Sequence, residues 1–299
     1  MIPIFVIGSS NTDMVVKSDK IPAPGETILG GTFFMNPGGK GANQAVAAAR
    51  LGGAVTFVAN VGNDLFGRQS IDHFKKENIN TKFISVDPLL PSGVALINVD
   101  KLGENCVTVA PGSNGNLQTD QIDRALHSIQ TPAIILVQQE IPLSSIEYTI
   151  KQSDALGHRV ILNPAPARKL EEGVFKHLFL ITPNELEAEF LTGVKVTDTG
   201  SAEKAAEKLL RLGIHHVVIT LGAKGAYLHS AATKQFVCTP IVTAVDTTAA
   251  GDCFNGALAV ALSENFSLDK AVEFACKAAS LSVTRMGAQA SMPFRKEIL

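Results

Sequence analysis

The segment Asp246-Thr-Thr-Ala-Ala-Gly-Asp252-Cys-Phe-Asn-Gly256, followed by the apolar run 257–262, is the part of the sequence best suited to chemistry. Small residues directly before a helix leave backbone N–H groups unpaired, and the helix dipole adds partial positive charge there. An anion can sit at that point. Asp252, in the first turn, lies beside the same anion and can take a proton from an attacking hydroxyl. An acidic residue at a helix start is also simply a good dipole partner. The second carboxylate, Asp246, and the run of small residues argue for more than that. Asp246 could bind a cation, although spacing alone does not reveal such a site.

A second glycine-rich segment is Asn36-Pro-Gly-Gly-Lys-Gly-Ala-Asn-Gln44. It is not a P-loop, which needs Ser or Thr at position 41 and glycine at position 34. Nor is it a dinucleotide fingerprint, because position 44 is Gln. Gly38, Gly39 and Gly41 permit close backbone approach, and Lys40 and Asn43 offer donors to hydroxyl groups. Taken alone, a glycine turn capping the next helix is the simpler reading. Asn11 and Asp13, two apart in an extended stretch, share one face, and an amide beside a carboxylate suits vicinal hydroxyls. Glu140 ends the run AIILVQQE, where a sheet delivers ligand groups. Taken singly, each of these is more simply an ordinary exposed polar residue. Asn184 and Glu187 have the spacing of a capping box. Thr220–Gly225 joins two strand-like runs and reads as a hairpin turn. The seven histidines fall outside all these segments, and no HExxH, GxSxG or paired-cysteine motif occurs, which argues against zinc-protease and α/β-hydrolase chemistry.

These groups must be positioned by the elements around them. Short β-branched runs alternate with amphipathic or alanine-rich segments, the pattern of a parallel sheet covered by helices. Strands are expected at 4–7, 55–60, 133–137, 159–162, 178–181 and 217–220, nearly continuous apolar runs suited to burial on both faces. Helices are expected at 43–51, 68–77, 120–129, 143–156, 185–191, 202–212, 251–262 and 268–285. Ligands collect at the carboxyl ends of such strands, which singles out 8–13, 138–140, 163–167, 182–187 and 220–225. Regions 14–34 and 93–109 break the rhythm with strand-like residues and turn signals. They form either a small separate sheet, serving as lid or dimer surface, or edge hairpins of the main sheet. The remainder reads as one continuous domain over 1–299.

The 299 residues are 45% apolar and 18% charged, enough for a sizeable core. Net charge is −2 and no Lys/Arg run appears, so neither nucleic acid nor a membrane surface is an expected partner. Cys106, Cys238, Cys253 and Cys276 show no ligand or disulfide spacing and read as reduced thiols of a cytoplasmic protein. The start, MIPIFVIGSS, lacks the basic region of a signal peptide, and no stretch approaches the length of a membrane span.

GSSNTD, PGET, GGKGANQA, NPAPA, TPNELEAE, TLGAKG, DTTAAGD and TRMGAQAS follow one another across nearly the whole chain. Together they resemble the ribokinase-like carbohydrate kinase family; GGKGANQA, NPAPA and GAQAS are more specific than the DTxxAGD pattern. The resemblance implies a doubly wound, mainly parallel α/β sheet with helices on both faces and a small β-sheet lid, paired with a second lid in a homodimer. It implies phosphoryl transfer from ATP to a small sugar, D-ribose at its 5-hydroxyl. Asn11, Asp13, Gly39, Lys40, Asn43 and Glu140 match the family's sugar-binding positions, with Gly41 and Ala42 in the same segment. Asp252 matches the general base, and Ala249, Ala250 and Gly251 the anion-hole amides. Nucleotide binding is implied for Asn184, Thr220, Leu221, Gly222, Ala223, Lys224, Gly225, Gly251 and Cys276. Glu187 matches a position linked to Mg2+ and phosphate. Asp246, Thr248, Ser282, Arg285, Gly287 and Ser291 match a K+ site built largely from backbone carbonyls.

Two positions depart from the family. Ala249 stands where many members have Gly; a methyl group is tolerable there if φ stays negative. Cys276 stands near the expected adenine position, where His or Asn is common. Rival readings are a family kinase acting on deoxyribose, fructose or a nucleoside, and a non-catalytic sugar- or nucleotide-binding sensor. The intact Asp252 segment counts against the sensor.

Overall fold

The computed structural model describes residues 1–298. In chain order, β1 (Ile4–Ile7), β2 (Asn11–Lys17) and β3 (Thr32–Gly38) precede α1 (Lys40–Arg50). Then come β4 (Val55–Gly62), α2 (Leu65–Lys76), β5 (Asn80–Asp87), β6 (Gly93–Val99), β7 (Asn105–Ala110) and α3 (Thr119–Leu126). β8 (Ile134–Gln138), α4 (Leu143–Ala155), β9 (Arg159–Asn163), β10 (Leu180–Ile181), α5 (Glu185–Thr192) and α6 (Thr199–Arg211) follow. The chain continues through β11 (His216–Thr220), β12 (Gly225–Ser230), β13 (Lys234–Cys238), α7 (Ala250–Ser263) and α8 (Leu268–Ser282).

The apolar runs form the expected sheet because both its faces are covered. Its nine strands are ordered β13-β12-β11-β10-β9-β8-β1-β4-β5 and pair in parallel except where β12 meets β11 and β13. Successive side chains of a strand point to opposite faces. Thus Ile4 and Val6 enter a core with α1, α7 and α8, whereas Phe5 and Ile7 enter a second core with α3, α4, α5 and α6. The sheet is therefore doubly wound. α1 and α7 approach backbone to backbone at Gly256, where an added Cβ would stand 2.8 Å from the Gln44 carbonyl and 2.7 Å from the Ala47 methyl.

The differences from expectation have local causes. α1 begins at Lys40 rather than 43, because Gly39 turns the chain at φ +89° and the Glu140 carboxylate accepts the first helical N–H. β10 pairs over only two residues of the expected 178–181. The run 80–87, part exposed, adds the edge strand β5, which the sequence pattern does not suggest. Regions 14–34 and 93–109 belong to a separate four-stranded sheet, β3-β2-β6-β7, rather than to edge hairpins of the main one. Its strands extend beyond those bounds, to Asn11, Gly38 and Ala110, while 18–31 contributes none. Among the described residues no helix is long and apolar enough to cross a membrane.

Candidate functional site

A cavity of about 320 Å³ opens where the carboxyl ends of the central strands, the N-terminus of α7 and the inner face of the small sheet converge. Asp252 lies at its floor, 5% exposed, in the first turn of α7. Its two carboxylate oxygens accept from different amides of α1. Asn43 Nδ2 donates to Oδ2 and Gln44 Nε2 to Oδ1, each at 2.9 Å. Asn43 is held in turn by Gln289, which donates to its Oδ1 at 3.1 Å.

The α7 N-terminus brings its backbone amides to the cavity, with two corrections to expectation. The Ala250 N–H donates to the Thr247 carbonyl at 3.2 Å and is partly spent. The N–H groups of Ala249, Gly251 and Asp252 have no acceptor among the described residues and remain available. Ala249 also does not keep a negative φ: at +59° it is left-handed, because the tight turn into α7 imposes that conformation. For a residue with a Cβ this costs about 1–2 kcal/mol.

Opposite Asp252, the small sheet presents Asp13 with Ala95, Ile97, Val107 and Val109. Asp13 pairs in register with Ala95, and Ala95 with Val109, so these side chains share one face. The Asp13 carboxyl is pushed up to about 6, first by burial and then by Glu140 and Asp252; Lys40 opposes the shift. Gly38 leaves room for that carboxylate, since a Cβ there would stand 2.3 Å from its oxygens. Asn11 Oδ1 accepts from Asn114 Nδ2 at 2.7 Å, which leaves the Asn11 NH2 as the group free to donate. Asn114 is itself fixed by the Ser10 N–H at 2.8 Å.

Glu140, beyond the end of β8, accepts from the Lys40 N–H at 2.9 Å and from Ser9 Oγ at 2.5 Å through one oxygen. Burial alone would lower the Lys40 ammonium. Asp252, Glu140, Glu187 and Asp13 outweigh it and hold the ammonium above its usual range, so Lys40 stays charged. Glu187 is raised by burial against the Asn184 N–H and Lys40. Asn184 and Glu187 form the expected capping box at 2.8 and 2.9 Å, and both line the cavity, as does Thr220.

The cavity brings together Asn11, Asp13, Gly39, Lys40, Asn43, Glu140, Asn184, Glu187, Thr220, Thr248 and 249–252. Other expected residues stand back from it. Gly41 and Ala42 are buried against β1: a Cβ on Gly41 would stand 2.6 Å from the Ser9 nitrogen, and the Ala42 N–H donates to the Ser9 carbonyl. Gly222, Ala223 and Gly225 form the β11–β12 turn, closed by the Leu221 N–H on the Gly225 carbonyl. Leu221 and Lys224 line a second hollow beside α5 and α6. Cys276 is buried in α8, its thiol pushed up to about 12 chiefly by burial, and lines neither cavity.

The six expected cation-site residues divide similarly. Asp246 joins its segment to Gly287, accepting the Thr248 N–H at 2.9 Å and the Gly287 N–H at 2.8 Å. Burial would raise its carboxyl, but these donors outweigh burial and hold it low. The Ser282 and Ser291 hydroxyls turn back onto the carbonyls of Ala279 and Ala288, and the Arg285 guanidinium pairs with Glu297. The Arg285 side chain is a cation itself, so only its backbone oxygen could face one. Among the described residues no group of three His, Cys, Asp or Glu is arranged to hold a metal ion.

Sequence reasoning singled out the segments that hold Gln44, Gln138 and Asn163 but gave these residues no role, and it missed Asn114; together they hold the site's carboxylate and amide in place. The available signal was a buried amide at the carboxyl end of an otherwise apolar strand, as with Gln138 and Asn163.

Residues 1–295 match the pfkB family carbohydrate kinase pattern. A ribokinase from Haemophilus influenzae is 42% identical over 99% of this chain and 97% of its own. The crystal structure of a ribokinase from Thermotoga maritima superposes with a TM-score of 0.92 at 42% identity, covering 100% of this chain and 98% of that one. A ribokinase from Arabidopsis thaliana, solved with ribose and ATP, superposes with a TM-score of 0.91 at 31% identity, covering 99% and 97%. With a family match spanning almost its full length, the chain belongs to the pfkB family of carbohydrate kinases.

Proposed function

We propose that this chain is a ribokinase, transferring the γ-phosphoryl of ATP to O5 of D-ribose to give ribose 5-phosphate and ADP. The observation that carries the reading is Asp252: a carboxylate aimed into a polar cavity, directly beside the open amides of a helix N-terminus. Ribokinase relatives, one of them solved with ribose and ATP, support ribose as the sugar.

In this reading Asn11 donates to, and Asp13 accepts from, neighbouring sugar hydroxyls, while Lys40 and the free oxygen of Glu140 hold others. The sugar so held presents its primary hydroxyl to Asp252. Asp252 takes the proton, the hydroxyl oxygen bonds to the γ-phosphorus, and the bond to the β,γ-bridging oxygen breaks to release ADP. Such transfer is catalysed mainly by positioning and charge stabilisation. The N–H groups of Gly251 and Asp252 meet the phosphoryl oxygens, and Asn184, Thr220 and the 221–225 turn flank the nucleotide.

Mg2+, bound with the phosphates, supplies the charge neutralisation this chemistry needs. Glu187, which lines the cavity, would be its indirect partner. K+ would be held by hard oxygens, those of Asp246 and of the backbone carbonyls at Thr248, Ser282, Arg285, Gly287 and Ser291. The small sheet serves as a lid on a single kinase domain and excludes water from the transfer. Its outer face carries Phe33, Met35 and Leu96, exposed at 58, 50 and 52%, which suits pairing with a second lid in a homodimer. Sedimentation of Leu96→Glu at half the wild-type mass would support that pairing, and unchanged mass would refute it. Four free cysteines suit the cytoplasm.

The decisive test is ADP release over a panel of ribose, deoxyribose, fructose and nucleosides, with and without K+, for wild type and Asp252→Asn. Ribose is expected to give the highest kcat/KM, and Asp252→Asn to lose at least about 10³-fold in kcat. A preferred nucleoside or hexose overturns the substrate, near wild-type turnover by Asp252→Asn overturns the base, and K+-independent turnover removes the K+ site.

A further inference from the structure

Asp252 is held by two neighbouring amides, and they are not alike. Asn43 lines the cavity; Gln44 is fully buried and does not. Both N–H bonds of Gln44 are committed, one to Asp252 Oδ1 and one to Asn163 Oδ1, each at 2.9 Å. Its Oε1 accepts from Gln138 Nε2 at 2.6 Å. Turning the amide over would set its oxygen against two others, so its orientation is forced. Gln138 and Asn163 are themselves paired in register at the ends of β8 and β9, so the sheet delivers both partners together.

We propose that Gln44 is the positioning residue of the Asp252 base, and that Gln138 holds Gln44 for that purpose, making a buried amide chain Gln138–Gln44–Asp252. The inference rests on Asp252 acting as the base. Packing alone does not account for Gln138. Its Oε1 is buried with no partner, and it occupies the space a Cβ on Gly8 would need, at 2.2 Å. A leucine of similar volume would remove that orphaned acceptor at little cost, because an unpaired buried polar atom is the expensive arrangement. What a leucine could not do is donate to Gln44.

The chemical value lies in the charge around the base. Asp252 faces Lys40 and the two amides from α1, Asp13 from β2, Glu140 beyond β8, Glu187 from α5 and, on its own helix, Cys253. One ammonium stands among four carboxylates. Donors on both oxygens fix the carboxylate and leave one lone-pair direction on each oxygen free for the hydroxyl. Gln44 therefore acts through Asp252 and touches no substrate.

The test is kcat and KM measured between about pH 5 and 9 for wild type, Gln44→Leu, Gln44→Glu and Gln138→Met. Gln44→Leu is expected to lower kcat on the order of 10- to 100-fold, with KM for sugar and ATP within about threefold. Its acid limb of kcat should move up by about one pH unit as the carboxylate loses a donor. Gln44→Glu, which sets a second carboxylate against Asp252, should move that limb further; Gln138→Met should move it less, in the same direction. An unmoved limb in folded, sugar-binding Gln44→Leu overturns the proposal, as does a loss confined to KM or Tm. Should Gln44→Leu not fold, the limb of Gln138→Met decides in the same way. Asp252→Asn separates the two readings. If it is inactive while the Gln44 limb is unmoved, only the positioning inference fails; if it keeps turnover, the base itself is wrong.

Discussion

The nine-stranded body and the smaller four-stranded sheet, proposed above as a lid, bury their strands in opposite ways. β1, β4 and β8 are buried along their whole length, while β7 is exposed along all of its own and β3 along most. Yet both sheets contribute to one cavity. The body holds Asp252 through amides on a helix locked against α7, and the lid carries Asn11 and Asp13 on β2. Few buried apolar contacts give a segment low local stability. On the proposed reading the proton transfer falls to the rigid part, which also holds sugar through Lys40 and Glu140, while the part able to move adds Asn11 and Asp13. Reaction geometry must be kept to fractions of an ångström, whereas a lid must open to admit its ligand.

The largest expected effect comes from prying the body apart. Gly256→Leu would force a side chain where a Cβ alone stands 2.7 Å from the Ala47 methyl and 2.8 Å from the Gln44 carbonyl. Overpacking of this kind costs about 3 kcal/mol, and the shift of α1 would drag Asn43 and Gln44 off Asp252, lowering kcat on the order of 10²-fold. Urea unfolding with steady-state kinetics checks both. Loss of stability with unchanged kcat would mean that the base does not depend on the α1–α7 contact, and the contrast between body and lid would fail.

A lid-side change should do the reverse. Asp13→Asn removes a carboxylate that burial, Glu140 and Asp252 disfavour. Because its folded-state pKa is raised, the charged form costs stability at neutral pH, and the amide should recover on the order of 1 kcal/mol. The same change should raise KM for the sugar about tenfold or more while touching kcat less. In wild type, protonation below about 6 removes the charged acceptor, so KM should climb as pH falls from 7 to 5, a slope absent from Asp13→Asn. Calorimetric sugar titrations across that range read it directly. A flat wild-type KM would sink the assignment of Asp13 to the sugar.

The body was also the more legible part of the sequence. Strands buried on both faces leave continuous apolar runs, and the helices between them carry a clear period, so most were located to within a few residues. The lid was visible only as an interruption, since two-sided exposure leaves no single pattern, and its separateness depended on pairings between segments distant in sequence. Within the site, Asp252, Lys40 and Glu140 announce themselves by charge at strand or helix ends. Gln44, Gln138 and Asn163 do not. Their roles exist only because α1 is pressed against the ends of β8 and β9, and no local spacing encodes that meeting.

Ala249 joins the two halves of the comparison, since it belongs to the rigid body but carries a local strain at the mouth of the anion site. At φ +59° its methyl group costs about 1–2 kcal/mol, and glycine would remove that cost. Glycine also brings back about 0.5–1 kcal/mol of unfolded-state entropy. Ala249→Gly should therefore stabilise the protein by about 0–1.5 kcal/mol, with the smallest effect on activity of the three. Its kcat should stay within about twofold, because the Gly251 and Asp252 amides keep their places at the start of α7. A fall in kcat beyond tenfold would show instead that the strained turn is needed to hold those amides, and that the rigidity of this body is built at one residue as well as in its core.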